Sequence, residues 1–139
     1  MAGFVPMDLV HLADDEGNSV RVAVRGPVPN WPEGLAAEIV VETPFVSGRV
    51  DLVLYERKLD AWADALDTLD AGEDIAWMEM SRGASLFIRL AGERDCPEVI
   101  VEDETCSMVT VCVPVVPPDD WIAEHRGRLE RLRAVWSAP

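Results

Sequence analysis

Few side chains in this 139-residue sequence could do chemistry, and they are widely scattered. There are two histidines, His11 and His125. His125 is the candidate general base, a role that needs a carboxylate to orient its second ring nitrogen. It also falls amid apolar residues at helical spacing, where an imidazole bonded to a carbonyl or side chain simply completes a core. Trp121, one helical turn earlier, would line any pocket opening beside it. No second His or Cys stands near His125 at metal-ligand spacing, so no zinc site is expected. The acidic clusters Asp14-Asp15-Glu16, Glu102-Asp103-Glu104 and Asp119-Asp120 invite a calcium reading. None has the alternating ligands, central glycine and closing glutamate of an EF-hand loop, and turns and a helix cap account for them. A nucleophile elbow, a phosphate-cradling glycine loop and a dinucleotide fingerprint are all missing, so no catalytic residue and no cofactor are assigned.

Cys96, Cys106 and Cys112 are too few and too scattered for a disulfide framework. Cys106 and Cys112 fall at equal parity in one predicted strand, too far apart along it to bridge each other. They read as small hydrophobes in a reduced, cytoplasmic protein. Met1 to Phe4 lacks the form of a secretory leader, and no apolar run approaches the 18 or so residues of a membrane span. Eleven of the 12 basic residues are Arg, with Lys58 the exception, as in proteins of GC-rich bacterial genomes.

The formal charge is −14, from 26 acidic and 12 basic residues. Nucleic-acid binding is not expected, because it depends on Lys and Arg displacing counterions from phosphates. The same charge opposes adhesion to an anionic membrane. A basic protein is the partner such a surface would steer. Mimicry of a nucleic acid by surface carboxylates is a weaker version of the same idea.

These residues must be positioned by a globular scaffold, since 49% of the chain is apolar and 27% charged. The spacing predicts a single α+β domain over residues 1–139. Met7–Ala13 and the alternating Val20, Val22 and Val24 form a hairpin around a turn at Gly17-Asn18. Residues 26–34, GPVPNWPEG, are expected to be a loop, followed by strands at Leu35–Glu42 and around Val50, Leu52 and Leu54. The period then changes: Leu59, Trp62, Leu66 and Leu69 recur at steps of three and four, the mark of an amphipathic helix ended by Gly72. Arg57 and Lys58 at its positive end, and Asp67 and Asp70 at its negative end, oppose its dipole, so packing must sustain it. Four strands follow, at Ile75–Met80, Ala84–Ala91, Val99–Glu102 and Ser107–Val115, with turns at Ser81-Arg82-Gly83, residues 92–95 and residues 102–104. A last helix opens at Asp119-Asp120 and gathers Trp121, Ile122, His125, Leu129, Leu132 and Trp136 on one arc. The expected fold is a curved antiparallel sheet of about eight strands in β4-α-β4-α order, with two helices on one face.

Two features stand out as binding candidates. Trp31 sits in a proline-stiffened segment, where an aromatic anchor costs little entropy to order. Asp60, Asp64 and Asp67 form an acidic stripe along the first helix.

The run RVDLVLYERKLDAWADALDTLDAGEDIAW and the tail DDWIAEHRGRLERLRAVW resemble a group of small uncharacterised actinobacterial proteins. More distantly, the pattern of Leu59, Trp62, Leu66 and Leu69 is similar to that of WapI-type immunity proteins, over roughly residues 7–137. That resemblance implies neutralisation of a toxin domain by binding it. The expected function is therefore that of a non-enzymatic acidic binding protein, immunity-like, masking a basic protein partner. Pairing of free sheet edges would make a homodimer. The alternative is a small biosynthetic enzyme or ligand-binding domain that uses the concave sheet face.

Overall fold

The computed structural model describes residues 4–79 and 83–136. Four strands, β1 (Met7–Ala13), β2 (Ser19–Val28), β3 (Trp31–Glu42) and β4 (Ser47–Leu54), form an antiparallel meander. Helix α1 (Glu56–Asp70) leads to a second meander of β5 (Ile75–Trp77), β6 (Ala84–Arg89), β7 (Glu98–Asp103) and β8 (Val109–Pro114). Helix α2 (Trp121–Val135) ends the fold. The α+β class and the element order are those the periodicity predicts. The strands, however, divide into two four-stranded sheets instead of joining in one curved sheet. Both meanders carry an apolar row, and two short helices cannot cover eight strands. The rows therefore cover each other as well.

Each row follows from the period of two. Val20, Val22 and Val24 of β2 and Leu35, Ala37, Ile39 and Val41 of β3 point inward from the first sheet. Leu86, Ile88, Val99, Val101 and Val113 do so from the second. One hydrophobic cluster takes in these residues together with Leu59, Trp62, Leu66 and Leu69 of α1 and Leu129 and Leu132 of α2. Trp62 stacks at a tilt on Trp77, with ring centroids 4.8 Å apart. Each such buried side chain contributes about 1.5–3 kcal/mol, enough to hold α1 despite its unfavourable end charges. Strand β8 crosses the turn end of the first sheet. Its start, Val109, lies with Val41 and Gly48, and its end, Pro114, accepts a hydrogen bond from Asn18 Nδ2 at 3.1 Å. Among the described residues, no helix is long and apolar enough to cross a membrane.

Local chemistry sets the boundaries. Asp14 Oδ1 accepts the backbone N–H groups of Glu16 and Asn18, closing the first turn as an Asx motif. Helix α1 ends in a Schellman motif, with Glu73 N–H donating to Thr68 O and Gly72 N–H to Leu69 O, and Gly72 at φ +86°. Asp120 occupies the N-cap of α2 but makes no side-chain capping bond, contrary to the expectation from sequence.

Residues 26–34 are not a loop. Strand β2 continues to Val28, β3 begins at Trp31, and only Pro29 and Asn30 form the turn between them. Pro29 supplies the fixed φ of a turn's first position, and Asn30 the positive φ, +66°, of its second. Register shifts near Gly26 and Val28 absorb the other prolines as bulges. Three further strands are shorter than expected, the sixth ending at Arg89. The fifth stops at Trp77, because Met78 turns to φ +66°, and β8 starts only at Val109, after Met108 at φ +60°. Cys106 therefore lies in a turn and not in a strand with Cys112. Ser81 and Arg82 of the predicted Ser81-Arg82-Gly83 turn fall outside the described residues, as does Met80.

Candidate functional site

His125 is 1% exposed and lies between the rings of Trp62 and Trp121, edge-on to each. Its Nδ1 sits 2.6 Å from Trp121 O, one helical turn back, and its Nε2 accepts the backbone N–H of His11 at 3.0 Å. That pair of bonds defines a neutral imidazole protonated on Nδ1. Burial pushes its pKa below the usual value, outweighing the Trp121 carbonyl, which acts the other way. Both ring nitrogens are thus committed to the fold. Trp121 borders a void of about 10 Å³, room for a single water at most. His125 itself is buried, so of the two residues expected beside a pocket only Trp121 borders this void.

The His125–His11 bond covers a sheet edge. Strand β1 is the outer strand of its sheet, and α2 runs beside it. Arg128 Nη1 donates to Asp8 O at 3.1 Å, so two α2 side chains satisfy a donor and an acceptor of that edge. Arg128 also holds Glu124 at 2.8 Å, and that hydrogen bond lowers the Glu124 pKa.

The acidic stripe of α1 is largely a seam between the helices. Arg133 reaches Asp60 at 2.6 Å and Glu56 at 3.5 Å, while Arg126 reaches Asp67 at 2.8 Å and Asp70 at 3.2 Å. The cations that the C-terminal turn of α1 lacks thus come from its neighbour. Asp64 is exposed and takes part in no ion pair among the described residues. Trp31 remains 42% exposed but folds back on its own hairpin. A Cβ at Gly34 would come within 2.4 Å of its ring, and Tyr55 lies 6.2 Å away, centroid to centroid.

His11 is on the outer face of the first sheet, with Nδ1 3.5 Å from Asp8 Oδ2. Asp8 and His11 have opposite parity and would point to opposite faces of a regular strand. The bulge between Asp8 and Val10 inserts one residue and returns them to one face, burying Leu9 and Val10 in succession. They share an open, polar groove with Arg21 and Glu42. Cys106 and Cys112 are both exposed. Desolvation, followed by the charge of Glu98, raises the Cys112 pKa, which disfavours a reactive thiolate. No cluster of three His, Cys, Asp or Glu side chains able to hold a metal occurs among the described residues.

A feature invisible in the sequence lies where the two sheets part. Ile39, Val41, Val46 and Val50 from one side and Val101, Val109 and Val111 from the other line an apolar cleft of about 250 Å³. Val46 and Val109 stand at its mouth, 41% and 53% exposed, and the neighbouring Met108 is largely exposed too. The charged residues that line the cleft are Asp103 and Arg49. Asp103, on the rim, accepts the Ser107 backbone N–H and hydroxyl, and these bonds lower its pKa. Glu102 and Glu104 flank it, and the Asp14–Glu16 turn abuts the β3–β4 turn through Gly17 and Pro44. Which two turns meet is a property of the sheet packing, so no local signal could have marked the cleft.

No curated protein and no solved structure matches the chain. Residues 7–137 match a family described only as of unknown function, DUF5959, and the chain belongs to that family.

Proposed function

We propose that this chain is a binding protein that holds a basic, apolar-tipped segment of a protein partner in the cleft between its sheets. The observation that carries the proposal is an uncovered apolar cleft with Asp103 on its rim, on a molecule of charge −14. Exposed Val46, Met108 and Val109 supply contact area, while the carboxylates select positive charge and speed encounter. The resemblance to immunity proteins supports the same reading, in which the partner is a toxin domain neutralised by masking. Asp60 and Asp67 contribute less, because α2 arginines already hold them. Asp64 and Trp31 would form an outlying contact.

A designed peptide of alternating lysine and leucine, titrated while backbone amide resonances are followed, tests this. Shifts should concentrate at residues 46–50 and 101–111 and weaken as salt rises. A serine-for-lysine peptide should bind far more weakly, and Val109→Asp should abolish binding without unfolding the chain. Shifts elsewhere, or binding indifferent to Val109→Asp, would refute the cleft as the site.

A further inference from the structure

The four sheet edges are treated unequally. The β1 edge is capped by His125 and Arg128. Strand β5 is only three residues long and packs against α1. Strand β8 ends in Pro114, whose carbonyl is taken by Asn18. Strand β4 is eight residues long, contains no proline, and pairs with β3 on one side only. Long, uncovered edges are what other strands pair with.

The backbone groups on that edge can be identified by following the alternation of antiparallel pairing. His11 directs its N–H outward to His125, so its partner Arg21 bonds toward β3, at Val40. Neighbouring Ile39 then bonds toward β4, at Val50. Even-numbered residues of β4 therefore face β3, and odd-numbered ones face outward. An independent contact agrees: Val53 O accepts a hydrogen bond from Lys58 Nζ at 2.8 Å. The backbone of Arg49 and Asp51 is left for a partner.

We infer that the partner is a second copy of this chain, its β4 laid antiparallel to the first about a two-fold axis at Val50. A two-fold interface must be complementary to itself. In this register Arg49 stands opposite Asp51 of the partner subunit and Asp51 opposite Arg49 of the partner subunit, both as hydrogen-bonded pairs. Asp51 is 85% exposed and Arg49 74%, so each can reach across, although Asp51 also meets Arg25 at 2.7 Å. On the inner face, Leu52 falls opposite the open space at Gly48 of the partner subunit. At the ends, Phe45, which is 95% exposed, arrives at Tyr55 of the partner subunit, against which Trp31 leans. One register thus accounts for a free edge, an opposite-charge pair and the most exposed aromatic residue. Gly48, Arg49 and Val50 also line the cleft, so the paired strand would border it. The dimer does not depend on the binding function proposed above.

Sedimentation of the full chain across micromolar concentrations, in about 0.15 M salt to screen the net charge, tests the inference. A species of twice the 15.3 kDa chain mass is expected. Arg49→Asp or Asp51→Arg alone sets like charges opposite each other twice per dimer. Each should weaken association at least about tenfold. The double variant R49D/D51R restores the pairing and should restore the dimer, which a merely structural role for either residue cannot explain. Phe45→Ala should weaken it without loss of fold. A monomer at all concentrations would overturn the inference. So would a dimer indifferent to the single reversals, one not rescued by the double variant, or one lost instead on Thr110→Pro in β8.

Discussion

Replacing His125 by phenylalanine isolates what the buried ring does. Phenylalanine keeps most of the volume but leaves the part-buried His11 N–H without its acceptor, a loss of about 1 kcal/mol. The Trp121 carbonyl keeps its helical bond, so no second penalty arises. The pH dependence is the sharper test. The His125 pKa is lowered from 6.5 by burial, so below about pH 6.5 the unfolded chain takes up a proton that the folded ring refuses. Stability is therefore complete above that pH and declines as pH falls toward the folded pKa. A single group changes stability by at most about 1.4 kcal/mol per pH unit. Between pH 7.5 and 5.5 the loss is therefore at most about 1.4 kcal/mol, or about 4–6 °C in Tm for a chain of this size. Carboxylates such as Asp103 and Glu124, whose pKa values are lowered, matter only at more acid pH. Chemical denaturation at the two pH values should show the decline in the parent chain and a nearly flat response in His125→Phe. If the variant keeps the full decline, the assignment of a neutral, fold-committed imidazole is wrong.

Two further outcomes follow from the same geometry. Gly72→Ala places a Cβ in the left-handed region at φ +86° and should cost about 1 kcal/mol in thermal unfolding, although nothing surrounds the new methyl. Cys112, despite its exposure, should react with iodoacetamide at pH 7.5 more slowly than a free cysteine peptide, with Glu98→Gln speeding it; peptide mass mapping reads both.

Much of the fold is legible in the sequence because one local rule decides it. The valines of β2 and the Leu59–Leu69 spacing of α1 reveal their elements because burial imposes a period on them. The segment around Pro27, Pro29 and Pro32 misleads, since prolines usually end strands, yet bulges and a two-residue turn accommodate them here. The split into two sheets is not legible, because alternation shows which face is buried and not what covers it. The site is harder still. Asp60, Asp64 and Asp67 read as an open acidic face because the arginines that engage two of them lie some sixty to seventy residues away. The bulge at Leu9, which brings Asp8 and His11 to one face, leaves no trace in composition. The cleft depends on where two remote turns come to rest.

The bond between His11 and His125 also bears on how the chain is made. The strand it protects leaves the ribosome before the helix that protects it, with 114 residues separating the two histidines. Until α2 has been made, the nascent protein carries an open strand with nothing to close it, the condition in which neighbouring chains on a polysome join one another. A message truncated before α2 would fix that condition permanently, yielding a product fit for a chaperone or a protease and not a smaller working version of the protein.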